Sequence, residues 1–300
     1  MKYSTLLASL VVSLSLAFGA TPPTGRYKVI VDALNSLEAQ HPDLAHVFSI
    51  GTNDDGVELM ALRISTSPKA VDQHKIGHIM VATHHGNESA APQFAMAFIN
   101  QLIRRYRGTE FWRTDLAQIE WTVLPVLNVS GYNLDERHEH GLDPNRDYAS
   151  PCLSVAGGKL KSVHTITDFL KTRIFSGNVT VHGYHGSMTY PWGLYTDQTH
   201  TLDHNLFHSV LAKAAEVNGY QVGTAADVVY PANGCYEDYT YWKHGHWSLL
   251  LELKSGDTED ITSTVGAIAA FYDQLNASPS IKNQFVGGCT RDDGRGMRWE

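Results

Sequence analysis

The chain of 300 residues is 43% hydrophobic and 18% charged, so it can bury a full-sized core and is neither a disordered tail nor a coiled coil. Its formal net charge of −8, without a cluster of Lys or Arg, argues against a nucleic-acid-binding protein.

The first twenty residues have the pattern of a signal peptide. Lys2 supplies a positive charge, an apolar run follows over Leu6–Phe18, and small residues then precede a Thr-Pro-Pro turn. The apolar run is too short to span a membrane. We therefore expect cleavage after Ala17 or Gly19 and a secreted or periplasmic domain over residues 21–300 that has no membrane span.

Strand and helix patterns alternate along the rest of the chain. In chain order, we predict strands at 47–50, 57–64 and 76–83, a helix at 91–107, a strand at 119–127, a helix at 163–172, a strand at 179–182, a helix at 202–217, a strand at 247–253 and a helix at 261–275. This alternation predicts one α/β domain with a mixed, largely parallel central sheet and helices on both faces. In such sheets, functional sites form beyond the carboxyl ends of the strands.

His85 and Glu88 directly follow the predicted strand at 76–83. Because they lie three residues apart around a Gly-Asn turn, both can offer a donor atom to one ion, and catalytic zinc sites take three His or carboxylate ligands. The pair alone is a weak signal in a chain with 16 His, and His84 is an alternative to His85. We prefer His85 because of its spacing to Glu88.

A third metal ligand is expected at the end of another strand. His182 ends the apolar stretch at 179–182, whereas His185 lies beyond that strand in a turn. We therefore expect His182 to complete the set.

Several other polar residues are candidates for substrate binding or catalysis. Asn145 and Arg146 lie together in a loop and offer amide and guanidinium donors suited to a carboxylate, and Arg137 lies nearby among acidic neighbours. Glu252 is a single acid inside an apolar strand, a costly position unless it is paired or near a metal. Tyr230 lies 22 residues earlier in a glycine-containing loop.

Taken together, these residues resemble the zinc metallocarboxypeptidases of the carboxypeptidase A/B family. The family's order of H-x-x-E, Arg, Asn-Arg, His, Tyr and Glu is complete here. Segments 141–146 and 182–193 and the interval from Tyr230 to Glu252 also match the family's pattern. The resemblance covers about residues 25–280. It implies the family's α/β fold and a secreted, monomeric carboxypeptidase without a long propeptide that acts on peptide or protein C termini.

The resemblance also implies a role for each catalytic position. One Zn²⁺ per chain would be held by His85, Glu88 and His182, with Glu252 as the general base. Arg137 would join the zinc in stabilising the oxyanion.

The implied substrate contacts lie in the segment after Arg137. Asn145, Arg146 and Tyr230 would bind the terminal carboxylate of the substrate, and Asp143 would hydrogen-bond the free nitrogen of a ligand histidine, His85 in preference.

Glu237 corresponds to the family position, seven residues after the mobile tyrosine, that lines the pocket for the C-terminal side chain. An acid there should attract Lys or Arg. Three other functions remain open: a carboxypeptidase or amidase acting on peptidoglycan peptides, a deacylase of the aspartoacylase type, and a binding module without catalysis.

Three cysteines, Cys152, Cys235 and Cys289, lie in the predicted mature domain. An oxidising compartment allows one disulfide and leaves one thiol, and the spacing does not select the pair.

Overall fold

In this computed structural model, the described residues are 20–108, 118–154, 157–198, 200–275 and 278–290. The predicted signal peptide, apart from Ala20, and both candidate cleavage sites therefore lie outside the described residues. Within the described part of the chain, no helix combines the length and the apolar character needed to cross a membrane.

Eight strands pair into one sheet in the described residues. They are β1 (Ala45–Thr52), β2 (Glu58–Ile64), β3 (Ile76–Ala82), β4 (Ile119–Leu124), β5 (Gly177–Gly183), β6 (Ser187–Tyr190), β7 (Gln221–Thr224) and β8 (Trp247–Leu253). Their order is β1-β2-β4-β3-β5-β8-β6-β7. The central strands β4, β3, β5 and β8 run parallel, whereas β2 is antiparallel to β4 and β6 is antiparallel to β8. The predicted α/β fold with a mixed, largely parallel sheet is confirmed.

Helices cover both faces of this sheet. They are α1 (Gly25–Gln40), α2 (Ala90–Arg107), α3 (Val129–Leu134), α4 (Lys161–Phe169), α5 (His204–Ala215), α6 (Ala225–Val228), α7 (Tyr236–His244) and α8 (Thr258–Tyr272). Buried side chains of α2, α5 and α8 belong to one hydrophobic cluster, and those of α3, α4 and α7 belong mainly to a second.

The central strand β3 contributes side chains to both clusters. Met80 and Ala82 pack in the cluster that contains Phe94 of α2, whereas Ile79 and Val81 pack in the other. Successive side chains of a strand point to opposite faces, so burial on both faces favours apolar residues at every position of 79–82. The continuous apolar run in the sequence has this cause. The one buried polar side chain of β3, His78, packs against the rings of Trp121 and Tyr272.

Element boundaries differ from the predictions where local chemistry overrides the apolar pattern. The strand predicted at 119–127 ends at Leu124, because Pro125 has no N–H for the strand ladder. The sequence patterns did not predict the helices α1, α3, α6 and α7 or the strands β6 and β7. Strands β6 and β7 have four residues each, too few for a periodic signal.

The structure also identifies the cysteine pair. Cys152 and Cys289 form a disulfide, and Cys235 is a buried free thiol.

Candidate active site

A tight turn after β3 brings His85 and Glu88 together. The Nδ1 atom of His85 lies 2.7 Å from Oε1 of Glu88, and both residues are buried. Gly86 between them packs against the backbone of α3, where an added Cβ would lie 2.1 Å from the carbonyl carbon of Gly131. Only glycine allows the turn to approach α3 this closely, so Gly86 helps to set the position of the His85–Glu88 pair.

His182 reaches the same point from β5, which is the parallel neighbour of β3. Its Nδ1 atom lies 3.0 Å from Oε2 of Glu88 and 3.1 Å from Nδ1 of His85. One donor atom from each of the three buried residues lies within 4.8 Å of the others, and the described residues contain no second such group. Two imidazole nitrogens this close repel each other through their lone pairs unless a proton or a cation lies between them. Two nitrogens and a carboxylate are a suitable ligand set for zinc.

Asp143 holds the other nitrogen of His85. Its Oδ1 atom lies 3.0 Å from Nε2 of His85, and its Oδ2 atom accepts hydrogen bonds from Nη2 and Nε of Arg137 at 2.9 and 3.1 Å. A proton on Nε2 that is donated to Asp143 leaves the lone pair of Nδ1 facing Glu88 and His182. Asp143 thus contacts the nitrogen of His85 that faces away from Glu88 and His182, and its role in orienting His85 stays a prediction.

At His85, Glu88 and Asp143, neighbouring charges shift the pKa more strongly than burial does. Burial alone would lower the pKa of His85, but Glu88 and Asp143 raise that pKa to about 9. Burial alone would raise the pKa of Glu88 and of Asp143, yet the neighbouring imidazoles hold the pKa of both carboxyl groups below the usual range. The site thus favours anionic carboxylates around a cationic centre.

The two alternative histidines lie elsewhere. His84 is fully buried, with Nε2 2.9 Å from the hydroxyl of Tyr148 and Nδ1 3.0 Å from that of Thr180. His185 has its Nδ1 atom 3.1 Å from the hydroxyl of Ser187. Neither belongs to the three-residue group.

Glu252 faces the three-residue group from the neighbouring strand. It is the register partner of His182 in the parallel pairing of β5 and β8, so both side chains lie on the same face of the sheet. Burial and the negative charge of Glu88 raise the pKa of Glu252 to about 8. Its side chain is partly exposed at the wall of a pocket. A carboxyl group with this pKa can exchange a proton near neutral pH.

The pocket connects the three-residue group to the predicted substrate-binding residues. Nη2 of Arg146 donates a 2.9 Å hydrogen bond to the hydroxyl of Tyr230, and Nη1 donates a 2.6 Å hydrogen bond to the carbonyl of Asn145. The Asn145 side chain accepts a hydrogen bond from the backbone N–H of Tyr236. The lining residues are His85, Asn145, Arg146, His182, Gly193, Ala225, Val229, Tyr230, Ala232, Cys235, Glu237, Leu250 and Glu252. The predicted site residues that line this pocket come from separate parts of the chain.

Glu237 lies in the first turn of α7 and lines the same pocket. Only 1% of it is exposed, and its Oε2 atom has no hydrogen-bond partner among the described residues. Burial raises the pKa of Glu237. The adjacent Asp238 instead accepts the backbone N–H of Gly193 with both carboxylate oxygens. Glu237 is therefore the acid of this pair that remains available to the pocket.

Arg137 lies beside the three-residue group rather than in the pocket lining. Its Nη1 atom is 3.7 Å from Oε1 of Glu88, and its side chain is 29% exposed. A guanidinium that is anchored by Asp143 and still reaches solvent can donate to an oxygen that gains negative charge.

Sequence reasoning missed two residues of the site. Asn128 is fully buried and donates its side-chain amide to the carbonyls of His84 and Arg137, which ties the two loops together. Its position just after the apolar stretch of β4 was a usable signal, because sites form beyond strand ends. Cys235 lines the pocket with Sγ 3.4 Å from Nη1 of Arg146, and no sequence pattern indicated this.

Comparison with known structures gives the same fold. A thrombin-activatable fibrinolysis inhibitor superposes with a TM-score of 0.72 at 19% identity, covering 82% of this chain and 73% of that protein. Carboxypeptidase A from Helicoverpa armigera gives a TM-score of 0.69 at 19% identity, covering 83% and 74%.

Comparison of sequences identifies the family. Carboxypeptidase B of the dog, Canis lupus familiaris, is 27% identical, with 85% of this chain and 70% of that protein covered. The human enzyme is 26% identical, and the match covers 76% of this chain and 62% of the human protein. Residues 30–272 match the family described as zinc carboxypeptidase. The chain therefore belongs to the zinc carboxypeptidase family and is a metallocarboxypeptidase that uses zinc.

Proposed function

We propose that this protein is an exported carboxypeptidase that hydrolyses the last peptide bond of a peptide, with Glu252 as the general base. The supporting observation is that one pocket contains the two histidines of the candidate metal site, Glu252 and the hydrogen-bonded pair of Arg146 and Tyr230. A free carboxylate held by that pair would present the adjacent peptide bond to Glu252.

The metal would be held by Nδ1 of His85, a carboxylate oxygen of Glu88 and Nδ1 of His182. A zinc ion bound there would polarise the scissile carbonyl and would lower the pKa of water at the site toward neutrality. Asp143 keeps His85 oriented through the 3.0 Å contact with Nε2.

Each remaining polar group has a separate task. Glu252 accepts the proton of the attacking water and later delivers it to the departing amine. Arg137 donates hydrogen bonds to the carbonyl oxygen as it gains negative charge, a contribution of about 3–4 kcal/mol for a well-placed donor. Asn145, Arg146 and Tyr230 bind the terminal carboxylate and so align the peptide bond.

Replacement of the proposed base tests this mechanism. In Glu252→Gln we expect kcat to fall by about 10²–10⁴-fold, because an amide cannot accept the proton. Zinc content should remain one per chain, because Glu252 is not a proposed ligand. Glu139→Gln is the matched control, since Glu139 is a buried glutamate outside the pocket. Peptide hydrolysis at the wild-type rate by the Glu252 variant would refute the proposed mechanism.

We further propose that the pocket prefers Lys or Arg as the C-terminal residue of the substrate. The supporting feature is the unpartnered Oε2 atom of Glu237 in a pocket whose other wall residues include Val229 and Leu250. A cationic side chain would pair with this buried carboxylate, whereas an aromatic side chain would leave it unsatisfied.

A peptide panel checks the specificity. Peptides that end in Arg, Lys, Phe or Glu should differ in kcat/KM, with the basic termini preferred. In Glu237→Gln the preference for Arg over Phe should shrink by about 10–100-fold, the equivalent of a lost charged hydrogen bond. A clear preference of the wild-type enzyme for Phe would overturn the assignment of Glu237.

The signal-peptide pattern supports a secreted or periplasmic location, and the Cys152–Cys289 disulfide is consistent with an oxidising compartment. Activity on peptidoglycan peptides remains a prediction. Incubation with defined muropeptides tests it, because release of a C-terminal diaminopimelate would require the same pocket and the same Glu237.

A further inference from the structure

Three histidines lie in a row around the start of α5, outside the pocket lining. His204 and His208 lie four residues apart in α5, a spacing that places both side chains on one face of the helix, and His200 lies four residues before the helix begins. The backbone N–H of His204 donates to the carbonyl of Thr201, so the turn before α5 leads directly into the helix. The ring centroids are 3.6 Å apart for His200 and His204, and 5.9 Å apart for His204 and His208. We call these three residues the histidine cluster.

The central ring is held by a buried partner. Nδ1 of His204 lies 2.9 Å from the hydroxyl of Tyr190, which is fully buried. Histidines that bind metals usually have their second nitrogen fixed in this way by an outer partner. When Nδ1–H donates to Tyr190, the lone pair of Nε2 is free to bind a ligand.

The two outer rings are free to adjust. His200 and His208 are exposed, and neither makes a hydrogen bond or ion pair with the described residues. The donor atoms of these three histidines do not all lie within 4.8 Å of one another, in contrast to those of His85, Glu88 and His182, so joint binding of an ion requires the exposed rings to rotate. The χ2 torsion of histidine is soft, so such a rotation can bring a nitrogen of His200 or His208 toward His204.

The charges around the histidine cluster also favour a cation. The pKa of His204 is lowered, first by burial and then by His200 and His208, whereas Asp227 acts in the opposite direction. Asp227 is itself anchored by a 2.7 Å hydrogen bond from the hydroxyl of Thr224. Neutral imidazoles beside a carboxylate offer lone pairs to a metal ion.

We propose that the histidine cluster binds a second divalent transition-metal ion through His204 and at least one of His200 and His208. Imidazole nitrogens favour ions of the zinc, copper and nickel class over Mg²⁺ or Ca²⁺, which require oxygen ligands. This site does not depend on the proposed peptidase mechanism, because it uses none of the pocket residues.

Zinc binding to the holoenzyme tests the proposal. Protein that already carries one zinc is dialysed against rising free Zn²⁺, and bound zinc is measured by atomic spectroscopy. The wild type should take up a second equivalent. His200→Ala and His208→Ala should each weaken this second binding, and the double variant should weaken it at least about tenfold, a loss that even an outer partner of a ligand can cause.

Two further variants separate ligand loss from structural damage. Exposed His74→Ala is the matched control and should bind the second zinc like the wild type. Tyr190→Phe removes only the hydroxyl and should weaken second binding by about tenfold. All variants should retain the first, tightly held zinc. A wild type that stays at one zinc throughout, or a double variant with unchanged second binding, would overturn the proposal.

Discussion

The pKa values of the buried carboxyl groups of this protein differ, because their neighbouring residues differ in charge. Glu88 and Asp143 lie against imidazoles, which hold the pKa of both below the usual range. Glu252, Glu237 and Glu139 lack a comparable cationic partner, and burial raises the pKa of all three. Carboxyl groups are therefore suited to metal binding in one place and, in the proposed mechanism, to proton transfer in another.

Glu139 allows this effect to be measured outside the pocket. Its Oε2 atom accepts a hydrogen bond from the hydroxyl of Ser162, and burial raises its pKa to about 7. The folded protein therefore binds the proton of Glu139 more tightly than the unfolded chain. The stability that this proton contributes is complete below the unfolded pKa of about 4.5 and is lost as the pH rises through 7.

Glu139→Gln should remove this pH dependence. Relative to the wild type, the free energy of unfolding of the variant should rise by about 3 kcal/mol between pH 4.5 and pH 8, because glutamine never becomes charged. Urea unfolding of both proteins at several pH values measures the difference. Parallel curves across this range would show that Glu139 is not the group responsible.

At the scale of the elements, the order of adjacent parallel strands explains why the residues of the candidate active site lie close together. The turn after β3 carries His85, β5 carries His182 and β8 carries Glu252, and these strands are neighbours in the order β3-β5-β8. Parallel neighbours have their carboxyl ends at one edge, so residues about 70 to 100 positions apart converge there.

Two glycines that differ in their surroundings test how tightly the His85–Glu88 turn is packed. An alanine Cβ at Gly86 would meet the backbone of α3 at 2.1 Å, whereas at Gly266 in α8 the nearest atom is 3.7 Å away. Gly86→Ala should lower stability by about 1–3 kcal/mol and weaken zinc binding. Gly266→Ala should raise stability by about 0.5–1 kcal/mol. Thermal unfolding measures the change in stability, and metal analysis measures zinc content. Equal stability and equal zinc content of the two variants would contradict the tight packing of Gly86 against α3.

At the scale of the whole molecule, the disulfide joins distant parts of the chain. Cys152 follows the loop of Asn145 and Arg146, and Cys289 lies 137 residues further along. Near Cys289, the backbone N–H of Asp197 donates to the carbonyl of Gly288. The disulfide therefore ties the last described segment to the chain that follows the loop of Asn145 and Arg146, two residues of the proposed substrate pocket.

Removal of this cross-link should lower stability and leave the chemistry intact. For a loop of this length, the double variant Cys152→Ala with Cys289→Ala should lose up to about 5 kcal/mol of unfolding free energy, because its unfolded chain is less constrained. Zinc content and kcat at 25 °C should be retained, since no proposed ligand or base is altered. The wild type should lose stability on reduction, whereas the double variant should not respond to reductant. Equal stability of the two oxidised proteins would contradict the prediction.

The sequence by itself determined the alternation of strands and helices, because burial on one or both faces requires a fixed period of apolar residues. It also indicated the candidate residues of the site, because polar groups at strand ends and an acid within β8 stand out against apolar runs. These signals are local in the chain, so they can be read without a structure.

Only the tertiary structure decided which groups meet. The pairing of Cys152 with Cys289, the choice of His85 over His84, and the availability of Glu237 rather than Asp238 all depend on contacts between distant segments. The same holds for Asn128 and Cys235, whose partners lie 9 to 89 residues away. Spacing along a chain does not encode such distances, because packing of the helices and strands sets them.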